Sequence, residues 1–291
     1  VTVAEAVRNA ARQLATVSDT SRLDAELLMA HALEVDRSEL LLRHMDAAVP
    51  ATFASLVERR AAHEPVAYIV GRQEFYGLSL EVTSAVLIPR ADSETLIEAA
   101  REALAARAPR RILDLGTGSG ALLLAALATW PEASGIGVDR SAASLDVARR
   151  NAQRLGLAGT QKESGRISLV AADWHASGWA EELGPFDLVL CNPPYVEKEA
   201  ALEPSVREWE PTGALFAGAD GLDDYQALIP QLAGLLADNG IGVFEIGSSQ
   251  AEAVSQIAKA HGFAADLRHD LAHRPRALVL RLGLGKEPAR H

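Results

Sequence analysis

The chain has 291 residues, 48% of them hydrophobic, with 28 Lys plus Arg against 39 Asp plus Glu and a net charge of -11. That length supports one full core plus a smaller second module, while the acidic balance argues against a general polyanion binder, whose affinity comes from clustered Lys and Arg. No run approaches the roughly 18 apolar residues of a membrane helix, and the single cysteine, Cys191, excludes an intrachain disulfide framework. With no basic-then-apolar leader at the N-terminus, the expected location is cytoplasmic, with no membrane partner.

Residues 1 to about 70 predict a small helical bundle. Apolar positions recur at three-to-four spacing in Val3, Val7, Ala11 and Leu14, then in Leu23, Leu27, Leu28 and His31. Ser18, Asp19 and Ser21 supply cap candidates between these helices, and a third runs from Ala51 to Ala62 with Leu56 and Val57 inward. From Gln73 the texture changes to short alternating runs around Gly77, as in a β-hairpin. A helix over 92–106 follows.

Beyond Pro109 the apolar runs at 111–115, 135–139, 167–173, 186–191 and 240–246 alternate with helical segments at 141–154, 222–238 and 248–261. Runs of this kind are buried on both faces, as in a parallel sheet covered by helices. The last two, FAADLRHD and RALVLRL, leave no room for a helix between them and are therefore expected to be antiparallel.

Asp114-Leu115-Gly116-Thr117-Gly118-Ser119-Gly120 ends the first of these strands and opens a helix, where α/β sheets hold ligands. Glycines let the backbone turn sharply and approach a ligand. The G-x-G-x-G spacing is not that of dinucleotide binding, and no P-loop lysine follows. Asp139 ends the next strand, where a carboxylate accepts from ribose hydroxyls, although a lone Asp there is also a natural helix cap. Asp173 and Trp174 end the third run, the acid placed for an adenine amino group and the indole for its ring face. Three strand ends in order point to a nucleoside-bearing cofactor.

Asn192-Pro193-Pro194-Tyr195 follows the fourth strand. Two prolines fix φ and remove two N–H donors, leaving rigid carbonyls beside the Asn side chain. An NH2 group would place its hydrogens on the Asn192 side-chain oxygen and the Pro193 carbonyl, with Tyr195 stacked on its planar frame. Cys191 has no adjacent base to activate it and reads as a buried thiol. His269 and His273 have no evident third ligand, so no metal is expected.

These residues resemble the class I methyltransferases, and more closely the PrmC/HemK family of release-factor glutamine methyltransferases. The resemblance extends to EPVAYIVGRQEFYGL (64–78), VLIPRADSETLIE (86–98) and REWEPTGALFAGADGLDDY (207–225). It implies a mostly parallel seven-stranded Rossmann-like α/β sheet with an antiparallel edge strand. To this are added an N-terminal all-α substrate-recognition domain (1–72) and a β-hairpin linker (73–91), with the methyltransferase domain over 92–291. It also implies S-adenosyl-L-methionine as cofactor, with S-adenosyl-L-homocysteine as product, and the Gly-Gly-Gln loop of peptide-chain release factors as partner. Ala91 and Ser93 depart from that family's usual Pro and Thr, and neither is expected to touch the chemistry.

Two other readings compete. An adenine amino-methyltransferase would present a similar NH2 to the same loop, but residues 1–80 hold 8 Arg and no Lys against 11 Asp plus Glu, so no basic track for nucleic acid is expected. A non-catalytic nucleoside-binding adaptor would not need the NPPY loop.

Overall fold

The computed structural model describes residues 1–158 and 165–283. It divides into two compact units, one made of Val1–Arg72 with Leu202–Glu210, the other of Gln73–Ala201 with Pro211–His291.

In the first unit, α1 (Val3–Leu14), α2 (Ser21–Ala32), α3 (Arg37–Arg43), α4 (Phe53–Ala61) and α5 (Val66–Val70) enclose a core that includes Val3, Val7, Leu14, Leu28, Met29 and Phe53. Thr2 and Glu5 form a reciprocal capping box that starts α1. Helix α2 buries Leu28 as expected, and Leu27 in part, but its inward face is rotated toward Asp24 and Glu26. Leu23 and His31 are exposed, while Asp24 and Glu26 are buried beside Ala25, Leu28 and Met29. The reason is charge pairing: Arg60 reaches Asp24 at 2.7 Å, and Arg22 and Arg37 hold Glu26 at 2.5 and 2.8 Å. Such pairing makes buried carboxylates tolerable.

The second unit opens at Gln73 within a hairpin of β1 (Arg72–Phe75) and β2 (Leu78–Glu81). Tyr76 and Gly77 both have positive φ, 52° and 76°, as a two-residue I′ turn requires. After a short 3-10 turn at Ala91–Ser93 come α6 (Glu94–Ala103), β3 (Arg111–Leu115), α7 (Ala121–Thr129), β4 (Ser134–Asp139), α8 (Ala142–Arg154), β5 (Ile167–Ala171) and β6 (Phe186–Cys191). Helix α9 (Pro204–Arg207) belongs to the first unit. A 3-10 turn at Thr212–Ala214, α10 (Asp223–Leu235), β7 (Leu236–Glu245), α11 (Ala251–Ala260), β8 (Phe263–His269) and β9 (Pro275–Leu282) complete the described chain.

The seven strands lie in the order β5-β4-β3-β6-β7-β9-β8. Antiparallel pairing is confined to one side of the sheet, where β9 runs against both β7 and β8. Alternate strand residues feed two cores. Ile112, Leu188 and Leu190 pack with α6 and α7 on one face, and Leu113, Leu115, Val189 and Cys191 pack with α10 and α11 on the other. Helix α7 is buried from Ala121 through Leu127, which explains why its sequence is apolar all round rather than striped.

The order reverses between β3 and β6, the topological switch point at which open α/β sheets bind ligands. Leu115 pairs with Val138 on one side and with Cys191 on the other. The glycine loop, Asp139 and the NPPY loop therefore leave the sheet side by side.

Candidate active site

Glycine at three loop positions answers a backbone need, because Gly116, Gly118 and Gly120 have φ of 72°, 54° and 84°. The loop is fastened to the end of β4: the N–H groups of Gly116 and Thr117 both donate to the Val138 carbonyl at 2.9 Å, and Gly118 N–H donates to Asp139 Oδ2 at 2.9 Å. On the other side, Asn151 Nδ2 donates to the Ser119 carbonyl and its Oδ1 accepts the Glu81 N–H at 2.7 Å, tying the hairpin to the loop.

Asp139 Oδ1 accepts the Ser141 N–H at 2.9 Å just before α8, whose N-cap is Ser141 itself. Each carboxylate oxygen has a second lone pair, and Asp139 lines the cleft.

That cleft has about 1050 Å³ of free space, part of it open to solvent. Asp114, Gly116, Thr117, Gly118, Ser119, Asp139, Trp174, Asn192 and Pro194 are on its walls. Asp114 is buried at its base, where Thr117 Oγ1 donates to Oδ2 at 2.6 Å and Oδ1 has no partner among the described residues. Burial first, and the neighbouring Asp139 charge to a lesser degree, push its carboxyl up to about 7. A cationic or N–H-bearing ligand group would suit that oxygen.

Four expected site residues are not on the cleft wall. Gly120 instead turns the chain into α7, and a Cβ there would come within 3.0 Å of Leu124 Cδ1. Strand β5 ends at Ala171, short of the expected 173, and Asp173 Oδ1 accepts the His175 N–H at 3.0 Å. The acid that lines the cleft beside Trp174 is Asp224, whose Oδ1 accepts the indole N–H at 2.7 Å. Pro193 is buried. Tyr195 packs beside Gly247, and its hydroxyl donates to Glu245 Oε1 at 3.2 Å. Burial first, then the Glu245 charge and that contact, raise the phenol above its usual range.

Ser93 overturns an expectation. It is buried, lines the cleft, and its Oγ accepts from Asn192 Nδ2 at 3.5 Å, because the 3-10 turn before α6 brings it to the NPPY loop. Glu245, at the end of β7, was not foreseen either. It is 1% exposed, and burial raises its carboxyl despite the Ser93 hydrogen bond and the charge of Arg276. The sequence signal was a carboxylate closing an otherwise apolar strand. Cys191 is fully buried, and burial pushes its thiol well above the usual value, which suits packing rather than nucleophilic attack. His269 ends β8, and no group of three or more metal-ligating side chains occurs among the described residues.

Family models match a PrmC N-terminal domain over residues 5–71 and a methyltransferase domain over residues 108–264. The release factor glutamine methyltransferase of Bradyrhizobium diazoefficiens is 41% identical over 283 residues, covering 94% of this chain and 92% of that protein. The chain belongs to the release factor glutamine methyltransferase family. Its relative of the same description in Moorella thermoacetica is 40% identical over 268 residues, covering 90% of this chain and 91% of that protein. Among solved structures, the hMettl16 catalytic domain in complex with an RNA hairpin shares the fold at a TM-score of 0.56 and 16% identity, covering 80% of this chain and 83% of that one. In this family member, then, the switch-point cleft lies within a methyltransferase domain. No helix among the described residues is long and apolar enough to cross a membrane.

Proposed function

We propose that this protein-glutamine methyltransferase uses S-adenosyl-L-methionine to methylate the side-chain amide nitrogen of the glutamine in the Gly-Gly-Gln loop of peptide-chain release factors. The observation that carries this reading is the adjacency of the glycine loop and the NPPY loop: a Cβ on Gly116 would lie 3.9 Å from the Asn192 carbonyl oxygen. A cofactor on the first loop and an amide on the second would share one cleft.

The residues present fit the cofactor. Asp139 offers its remaining lone pairs to a ribose diol, the Trp174 indole a face for the adenine, and the unpartnered Asp114 Oδ1 an acceptor for a cationic group. When bound, S-adenosyl-L-methionine supplies an electrophilic methyl group and becomes S-adenosyl-L-homocysteine.

An amide nitrogen is a poor nucleophile because its lone pair is delocalised. Asn192, on the cleft wall, accepts an amide hydrogen through Oδ1 in this reading, which turns the lone pair toward the donor side of the cleft. Acceptors fixed in advance favour the state in which positive charge grows on nitrogen, and in-line positioning supplies much of the rest. No strong base is needed before attack, since the proton becomes acidic only on methylation. Tyr195, held by Glu245, anchors the loop. A single side chain offers too little contact to select one protein, so we assign partner recognition to the N-terminal helical unit, in the cytoplasm and without direct nucleic-acid contact.

The test is to supply labelled S-adenosyl-L-methionine with a release factor, other cell proteins, RNA and DNA. Label is expected on the release-factor glutamine alone. Asn192→Ala should lower turnover by roughly 10²–10³, the scale for one lost preorganised contact, with cofactor affinity unchanged. Labelled nucleic acid, or a fully active Asn192→Ala, would overturn the reading.

A further inference from the structure

Two consecutive prolines leave the NPPY loop short of backbone N–H groups by which to hold itself in place, so its carbonyls and side chains must do the holding. The Tyr195 carbonyl is held by a residue 55 positions on. Gln250 is buried, and its Nε2 donates to the Tyr195 carbonyl at 3.0 Å, with the Gly221 and Asp220 carbonyls close by at 3.3 and 3.5 Å. Its Oε1 accepts the Gly247 N–H at 3.0 Å. A backbone N–H only donates and a carbonyl only accepts, so these partners leave the amide one orientation. Gln250 stands at the N-cap of α11, where a polar side chain ordinarily turns to its own helix, yet it makes no such bond. It reaches instead to a meeting of three segments: the NPPY loop, the turn before α10 and the chain just past β7. Two glycines are shaped around it. A Cβ on Gly221 would come within 2.7 Å of Nε2 and collide with the Tyr195 carbonyl, and one on Gly247 would come within 2.8 Å of Oε1.

We infer that Gln250 is a positioning residue for methyl transfer: by holding the Tyr195 carbonyl it fixes the loop whose Asn192 meets the substrate amide. This rests on the role proposed above for the NPPY loop. Gln250 itself does not line the cleft, whereas Asn192 and Pro194 do, so it acts through the backbone of that loop. Asp139 and Trp174, which face the cofactor in the same reading, lie on other segments, and the hydrogen bonds of the Gln250 amide go elsewhere. The effect therefore belongs to turnover rather than to cofactor binding. A displacement of about 1 Å between reacting groups can cost roughly 10²-fold in rate.

The test uses the full-length enzyme with three substitutions. Gln250→Met keeps length and packing but no hydrogen-bonding amide, Gly247→Ala pushes on the end of Gln250 while removing no polar group, and Asn192→Ala removes the substrate contact; the first two are also paired with the third. Turnover, KM for the release factor and S-adenosyl-L-homocysteine affinity by calorimetry are measured for each, well below its melting temperature. Gln250→Met should lower kcat by about 10-fold or more and Gly247→Ala by about 3-fold or more, with KM and S-adenosyl-L-homocysteine affinity within about 2-fold of the parent. Each paired variant should lose less than the product of its two single losses, because both substitutions act on the placement of one side chain.

If Gln250→Met does not fold, Gly247→Ala and its pairing with Asn192→Ala decide. Parental kcat, losses that multiply with that of Asn192→Ala, or a loss confined to KM or to cofactor affinity would each overturn the inference. An unimpaired Asn192→Ala would instead sink the reading of the loop beneath it, and the two failures are thereby told apart.

Discussion

The Trp174 indole N–H donates to Asp224 Oδ1 at 2.7 Å, and His175 Nε2 stands 3.0 Å from the same oxygen. Asp224 thus fixes the aromatic face that the cofactor's base would meet. Asp224→Ala should weaken S-adenosyl-L-homocysteine binding by about 1.5–3 kcal/mol, the scale of a lost hydrogen bond with a charged partner, and Asp224→Asn by less. Calorimetry on the two variants decides; equal affinity in Asp224→Ala would mean the indole holds its place unaided.

Gly221 sits under the NPPY loop with φ of 71°, and a Cβ there would collide with the Tyr195 carbonyl. Backbone cannot yield as a flexible side chain can. Gly221→Ala should therefore destabilise the fold by about 1–3 kcal/mol and reduce turnover by more than that instability explains. A thermal melt together with an assay well below the melting point separates the two effects, and an active, unperturbed variant would show that the loop relaxes freely.

Asp114 makes the fold sensitive to pH in a defined direction. Its carboxyl is raised from 3.8 to about 7, so over that interval the folded chain keeps a proton the unfolded chain has lost. Stability from this group is therefore present at low pH and falls as pH rises from about 4 to 7. Asp114→Asn removes the titration. Its melting temperature relative to the parent should climb across that window, measured by paired melts; a constant offset would show that Asp114 is already ionised at acid pH.

A chain beginning at Gln73 should bind S-adenosyl-L-homocysteine nearly as well as the full chain yet methylate a folded release factor poorly. The cleft is lined wholly by residues of the second unit. Comparable turnover of the two chains would reduce the helical unit to a stabiliser.

The mostly parallel sheet and the site loops were legible because buried parallel strands must be apolar on both faces and because glycines and prolines constrain backbone locally. Gly116, Asp139 and Asn192 fall where those constraints put them. The misread parts depend on contacts between residues distant in sequence. Helix α2 presents Asp24 inward because Arg60, 36 positions on, comes to meet it, and Glu26 because Arg22 and Arg37 do. Ser93 and Asn192 are 99 apart, and no local pattern announces their meeting. Asp173 reads as the adenine acid because it ends an apolar run, whereas the Trp174 indole N–H points to a helix 50 residues later.

The helical unit is not contiguous: Leu202–Glu210 belongs to it, although 129 residues of the other unit intervene. Its apolar core, however, draws only on residues 3–70. During synthesis, then, the bundle can condense as soon as it leaves the ribosome, but it is finished only after the glycine loop, β6 and the NPPY loop have been made. The last piece of the helical unit thus follows the NPPY loop but precedes Asp224, which the cleft still needs. A ribosome stalled shortly before residue 202 would hold a collapsed but incomplete bundle, more open to protease than the same residues in the released enzyme.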